Sequence, residues 1–402
     1  MYNKKNRGHD CMQNTCDVLI VGAGPAGSAA ARASAMRGLD TILIDKKESI
    51  GANVKCAEGI GSYLLPFLPF PIPPDQLIWT IEGIHFHADK LSVHKRGRFW
   101  EGYSVNREQF DKWLVQQAVK NGALLWTFSE LTNFEFDEEN KVKKVYVTKN
   151  NSERCVIPKA IIGADGSEST VLSLLNKYHP THGDHAEVYS WELENLDLTY
   201  PHLESVFAGR FTPSGYAYIF PKSKHRANIG VGGIHPEKSM ELYFQEFIEY
   251  EPVKRQVKNA SYVQEKSKKA VWSDLSDDLM YDNIILAGDA ANQNLKPFIE
   301  GILPSIICGD IAGSVAFEMV QDSTITSNHY RKRIQKRFQS FIQESNELKA
   351  IIEQIYSQRH KRSALQFFGC ITELLSPDEL QRSFDLSYNE LYDLLSRRLN
   401  VL

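Results

Sequence analysis

Cys16-Asp17-Val18-Leu19-Ile20-Val21-Gly22-Ala23-Gly24-Pro25-Ala26-Gly27 is the stretch whose reading decides the fold. Its apolar, β-branched half is typical of a buried parallel strand, and it runs directly into a glycine turn. The alanine-rich run Ser28 to Arg37 continues as a helix that Gly38 stops, and Thr41-Ile42-Leu43-Ile44-Asp45 reads as a second strand. In such a unit Gly22 permits the tight turn, Gly24 lets the backbone approach a pyrophosphate, and Gly27 lets helix and strand pack closely. The phosphates then lie on the helix N-terminus. Asp45, closing the second strand, is placed to accept a hydrogen bond from an adenosine ribose hydroxyl. The unit predicts a dinucleotide site without separating FAD from NAD.

Composition sets the outer bounds. The 402 residues carry 46 Lys+Arg against 50 Asp+Glu, a net charge of −4, and 42% hydrophobic residues. That predicts two or three packed units, excludes overall disorder, and gives no general attraction to nucleic acid. Six cysteines, with no CxxC pair, point neither to a disulfide framework nor to a zinc site. Residues 1–15 are polar and lack the apolar core of a signal peptide, so they read as a flexible tail on a cytoplasmic protein. Gly301 to Val320 approaches the length of a membrane span but contains Pro304, Asp310 and Glu318, and reads as a buried helix. His85 and His87 share a strand face with no third ligand nearby, which predicts a polar face and no metal site.

Two later segments narrow the cofactor. Ala160-Ile161-Ile162-Gly163-Ala164-Asp165-Gly166-Ser167 is an apolar strand running into a turn, and Asn283-Ile284-Ile285-Leu286-Ala287-Gly288-Asp289-Ala290-Ala291 is another. Asn106-Arg107-Glu108-Gln109-Phe110-Asp111 opens a helix that ends at Gly122-Ala123. Together with the first turn, these segments resemble the FAD-dependent oxidoreductases of the p-hydroxybenzoate hydroxylase and geranylgeranyl reductase group, over residues 16–345.

The resemblance implies an α/β protein: a Rossmann-like FAD-binding domain, an interleaved antiparallel-sheet substrate domain and a C-terminal helical region. The expected division is 16–61, 106–176 and 273–326 for FAD, 62–105 and 177–272 for substrate, and 327–402 for the helices. It also implies FAD contacts at Gly22, Gly24, Ala26 and Gly27 in the first turn and at Asp45 and Lys46 beyond the second strand. Arg107 would approach the ribityl-pyrophosphate region, while Ala164, Asp165 and Gly166 would lie where the chain passes the nucleotide. Beside Gly288, Asp289 would hold a ribityl hydroxyl. Gly301 and Ile302 would open a helix whose positive end favours the anionic reduced flavin.

Ile50-Gly51-Ala52-Asn53-Val54-Lys55-Cys56-Ala57-Glu58-Gly59-Ile60 is similar to the IG.PV.C.EG. loop of archaeal geranylgeranyl reductases. The resemblance implies that Cys56 and Ala57 lie beside the flavin. There the Cys56 thiol either donates a proton, shields or lines the pocket, or is simply a small buried residue. Gly215-Tyr216-Ala217-Tyr218-Ile219-Phe220-Pro221, followed by Gly230-Val231-Gly232, is similar to the family's YxWxFP...GxG signature. In an alternating strand Tyr216, Tyr218 and Phe220 share a face. The resemblance implies that they, with Pro221, face an isoprenoid tunnel; core packing is the alternative.

Three positions depart from the family. Tyr218 replaces the usual tryptophan, Leu172 lies where an arginine is usual, and Ile299 in Lys296-Pro297-Phe298-Ile299-Glu300-Gly301-Ile302 takes the place of a glycine, with the proline one residue late. A β-branched residue at position 299 is expected to crowd the backbone near the isoalloxazine.

The expected activity is reduction of C=C bonds in a polyprenyl (geranylgeranyl-type) lipid or diphosphate by hydride from reduced flavin. The proton would come from Cys56, Glu58 or a flavin-bound water. A transient donor, ferredoxin or NAD(P)H, would supply electrons. One rival is a flavin monooxygenase or halogenase acting on an aromatic substrate, although YAYIFP stands where a halogenase has WxWxIP. The other is a lipid-binding relative that has lost flavin chemistry through Ile299. From Ser327 a basic helix face (Arg331, Lys332, Arg333, Lys336, Arg337) opposes Tyr330, Ile334 and Phe338, and suits either solvation or peripheral contact with an anionic membrane.

Overall fold

The structure, a computed structural model, describes residues 12–177, 185–276, 278–322, 324–357 and 360–400. The chain opens with β1 (Met12–Val21), α1 (Pro25–Ala35), β2 (Thr41–Ile44), β3 (Gly59–Gly61), β4 (Trp79–Ile81), β5 (Ile84–Ala88), β6 (Leu91–Lys95) and β7 (Gly102–Ser104). It continues through α2 (Arg107–Lys120), β8 (Leu124–Trp126), β9 (Ser129–Phe136), β10 (Val142–Lys149), β11 (Ser152–Gly163) and α3 (Thr170–Leu174). Next come β12 (His185–Glu194), β13 (Glu204–Ala208), β14 (Gly215–Ser223), β15 (Arg226–Ile234), α4 (Met240–Ile248), α5 (Glu251–Val257) and β16 (Ser261–Val271). The last part holds β17 (Met280–Tyr281), β18 (Ile284–Leu286), α6 (Ile302–Gln321), α7 (Ser327–Ser357), α8 (Ser363–Ile371), α9 (Pro377–Ser383) and α10 (Tyr388–Leu399).

Three sheets form from segments distant in sequence. The first runs β17-β18-β11-β1-β2-β8, with β1 parallel to both β2 and β11 and β11 parallel to β18; β10 and β9 extend it as a ribbon. Its central strands are buried on both faces, which explains their unbroken apolar runs. The second runs β16-β12-β15-β14-β13-β5-β6 and is antiparallel except between β13 and β5. A small third sheet, β3-β7-β4, lies between them in the chain. The protein is thus an α/β fold with a Rossmann-like unit, an antiparallel sheet and C-terminal helices.

β1 begins at Met12, and Met12 to Thr15 pair with Arg154 to Ile157. The expected tail therefore ends earlier: backbone hydrogen bonding to β11 recruits polar residues that the apolar pattern leaves out. Residues 1–11 lie outside the described range.

α6 is long and apolar enough to cross a membrane, yet it is mostly buried inside the protein. It crosses α1 at very short range: a Cβ on Gly309 would overlap the Ala26 carbonyl, and one on Gly313 the Ala30 carbonyl. Backbone-to-backbone packing of this kind needs small residues on both helices.

In α7 the apolar face is confirmed, with Tyr330, Ile334 and Phe338 buried. The basic side is largely spent within the molecule: Arg333 pairs with Glu318 at 2.5 Å, Arg331 donates to the Ser276 carbonyl and Arg337 to that of Phe67. The helix breaks at Phe338 (φ −155°, ψ 41°), and its second half joins α8–α10 over the second sheet, packing Phe367 and Phe368 near Phe86 and Val206.

Candidate active site

The turn after β1 has open space where a phosphate group would fit. Gly22 sits at φ +98° with the Ala164 carbonyl where a Cβ would be, and a Cβ on Gly27 would overlap the carbonyl of Gly22. Gly24, the N-cap of α1, has no atom within 4 Å of its Cβ position and no side chain capping the helix. The first N–H groups of α1 are thereby left for an anion. Gly166, at φ +87°, is equally open. These residues fit the pyrophosphate and adjoining ribose of a dinucleotide.

The turn opens into one cavity of about 1400 Å³, larger than the ~300–1,000 Å³ of a site for one small ligand. Gly22, Gly24, Ala26, Asp45, Lys46 and Arg107 line it, together with Cys56, Ala57, Ala164, Asp165, Gly166, Gly288, Asp289, Gly301 and Ile302. Gly27 lies outside the wall, since its smallness serves the packing of α1 against β1.

Several of these side chains are already engaged. Asp45 accepts from the Ala23 and Lys47 backbone N–H groups, both at 2.8 Å, leaving lone pairs for a ribose. Asp165 accepts from Ser169 Oγ at 2.7 Å and the Val171 N–H at 3.0 Å, so its carboxylate fixes the start of α3. Arg107 is clamped bidentately on Asp111 (2.8 and 2.9 Å), with the Cys56 sulfur beside it. Its guanidinium thus braces the Cys56 loop through Asp111, one helical turn on, while Arg107 remains on the wall of the same cavity. Burial pushes the Asp289 carboxyl up, but Lys268 at 3.2 Å outweighs it and keeps the group below its ordinary value.

Beneath the Cys56 loop is a buried ionic network invisible in the sequence. Glu58 accepts from Lys222 at 2.5 Å, Asn228 at 3.0 Å and Lys266 at 3.1 Å, and from the Arg107 backbone N–H at 2.9 Å. Glu192 completes it, 2.8 Å from Lys222 and 3.1 Å from Lys266. The ammonium of Lys266 and the amide of Asn228 also hold the Cys56 and Ala57 carbonyls. Burial pushes Glu58 up, yet the two lysines overcome it and hold the carboxyl at about 2. Glu58 is therefore an ionised anchor, which corrects its candidacy as proton donor.

Strand register explains the aromatic signature. Tyr218 faces Gly230 across β14–β15, and a Cβ on Gly230 would stand 2.6 Å from the Tyr218 ring. The GxG glycine is the floor on which that ring lies. Tyr216, Tyr218 and Phe220 line the cavity, whereas Pro221 does not. Alternation turns Pro221 to the other side, and its carbonyl accepts from Ser104 Oγ at 2.5 Å. Lys222 returns to the face of the tyrosines, which is how it reaches Glu58.

Ile299 occupies the left-handed region at φ +54°. The loop keeps the conformation a glycine would take, and Ile299, partly buried against the second core cluster with Phe298, stands on the cavity wall. Away from the cavity, His94 stands opposite His85 on β6, the third imidazole that sequence proximity does not reveal. Among the described residues no group of three or more His, Cys, Asp or Glu side chains is arranged to hold a metal.

A dinucleotide cradle joined to an aromatic-walled cavity fits an FAD-dependent oxidoreductase. Residues 17–66 match the FAD binding domain model, and 184–266 match the geranylgeranyl reductase catalytic domain model. The digeranylgeranylglycerophospholipid reductase 1 of Methanopyrus kandleri is 31% identical over 369 residues, 89% of this chain and 95% of that protein. A geranylgeranyl bacteriochlorophyll reductase-like structure from Thermoplasma acidophilum superposes with a TM-score of 0.72 at 27% identity, covering 96% and 97% of the two chains. The flavin-dependent halogenase CmlS shares the fold at TM-score 0.71 but only 16% identity, covering 98% of this chain and 78% of its own. The chain belongs to the geranylgeranyl reductase family and uses FAD.

Proposed function

We propose that this enzyme saturates C=C bonds of geranylgeranyl chains carried on a glycerophospholipid. The observation that carries the reading is the continuity of one cavity from the glycine cradle, past Cys56, to the row Tyr216, Tyr218 and Phe220. Bound FAD, once reduced, supplies the hydride. Around it, Gly22, Gly24 and the start of α1 hold the pyrophosphate, Asp45 the ribose, and Asp289 a ribityl hydroxyl. The N-terminus of α6 at Gly301–Ile302 supports negative charge on the pyrimidine side. Tyr216, Tyr218 and Phe220 pack the isoprenoid chain and exclude water, which an unactivated alkene needs if proton and hydride are to arrive together. Cys56 forms the wall where cofactor and chain meet.

In this reading a transient donor, ferredoxin or NAD(P)H, supplies the electrons. The test is to reduce the FAD-loaded protein anaerobically, add a digeranylgeranyl phospholipid, and follow flavin reoxidation and product mass. Gain of two hydrogens per double bond is expected. An unchanged lipid beside persistently reduced flavin would refute the reading.

A further inference from the structure

The reaction requires a proton, and Glu58 is excluded as its source. One other acidic side chain enters the aromatic part of the cavity without a partner. Glu204 opens β13, whose register places Val206 beside Tyr218 and Ser205 beside Ile219. By alternation Glu204 shares the face of Val206, next to Phe220 on the cavity wall. Among the described residues its carboxyl makes no hydrogen bond and no ion pair.

Space is left for that carboxyl. A Cβ on Gly59 would stand 2.5 Å from Glu204 Oε1, so a glycine there, three residues beyond Cys56, is what lets the acid reach in. A second acid, Glu300, faces Gly61 on the same side of β3. Glu300 is occupied: it accepts from the Gly61 N–H at 2.9 Å and from Tyr63 Oη at 2.6 Å. Burial pushes the Glu300 carboxyl up as well, against these two donors, and Glu204 is the acid of the two with no hydrogen-bond partner among the described residues.

We propose that Glu204 is a catalytic residue: its carboxylic acid donates the proton that completes reduction of the alkene. This rests on the reductase reading above. The alkene π bond breaks as one carbon gains a hydride from the reduced cofactor and the other gains the Glu204 proton. The O–H electron pair stays on Glu204 as carboxylate, the cofactor is left oxidised by two electrons, and water reprotonates the carboxylate between turnovers. Burial, reinforced by the nearby negative charge of Glu300, pushes the Glu204 carboxyl up to about 8. Tyr216 is the other titratable group coupled to it, and no cation among the described residues acts on it. A neutral acid suits an apolar chamber and is still protonated at neutral pH.

The test compares the FAD-loaded parent with Glu204→Gln, which keeps the shape and loses the acid. FAD affinity and spectrum should be unchanged, while lipid-driven reoxidation of reduced flavin falls about 100-fold or more. Independently of turnover, infrared titration of the cofactor-free protein should show a protonated carboxyl band lost near pH 8, absent from Glu204→Gln. Equal reoxidation rates in parent and variant overturn the proposal and leave the reductase reading intact. So does an infrared band that titrates in the ordinary carboxylate range. A parent that fails to react with the lipid overturns the reductase reading, and this inference with it.

Discussion

Replacing Glu58 by glutamine removes one negative charge from a buried set of two carboxylates and two ammoniums. Lys222 and Lys266 then have only Glu192 as a carboxylate partner, which Arg226 also claims at 2.8 Å, and the uncompensated buried charge has little solvent to meet it. The magnitude follows from the carboxyl itself. Holding it at about 2 against an ordinary 4.5, at ~1.36 kcal/mol per pKa unit, is worth about 3 kcal/mol at neutral pH. With an unfolding entropy of ~2.1 cal/mol/K per residue, the 402 residues give ~0.8 kcal/mol/K, so Glu58→Gln should melt roughly 4 °C lower.

The assay is thermal unfolding by circular dichroism at fixed, saturating FAD, since cofactor binding shifts the midpoint by mass action. Because the folded-state pKa is depressed, this stability is present above pH 4.5 and is lost as pH falls toward 2. The parent–variant gap should therefore close over that window. Adding Lys266→Met should restore part of the loss, since the unpaired ammonium leaves with it. A variant that melts with the parent at neutral pH would refute the anchoring role of the network.

Ile299→Gly removes a strained conformation that costs an L residue ~1–2 kcal/mol while also removing a partly buried side chain. Its melting should stay within the equivalent of about 1 kcal/mol of the parent, and a loss of ~3 kcal/mol or more, ordinary for a core truncation, would show that no strain is relieved. Cys56→Ser should retain FAD, its spectrum and the rate of lipid-driven flavin reoxidation, as a wall residue would, whereas a loss of ~100-fold or more, the size of a missing general acid, would show that Cys56 carries the proton.

The turns at Gly22, Gly166 and Gly288 were readable because each is a local constraint: a left-handed backbone or a close approach that few residues other than glycine tolerate. The same holds for Ile299, whose departure from glycine flagged the one β-branched residue forced to positive φ in that loop. The aromatic alternation of β14 was equally plain, but its boundary was not. Pro221 reads as the end of the motif, and only the strand shows it turned to the opposite face.

Sequence alone determined the order of the dinucleotide unit and which aromatics of β14 share a face, since backbone geometry and strand period act over a few residues; FAD and an isoprenoid-facing wall were what the family resemblance implied. Sequence could not show which acid is locked and which is free. Glu58 meets Lys266 across 208 positions, and Glu204 meets Gly59 through two sheets joined by nothing local. Those pairings are set by strand register, and register decides whether a buried carboxyl finds an ammonium and stays charged or finds an apolar chamber and keeps its proton.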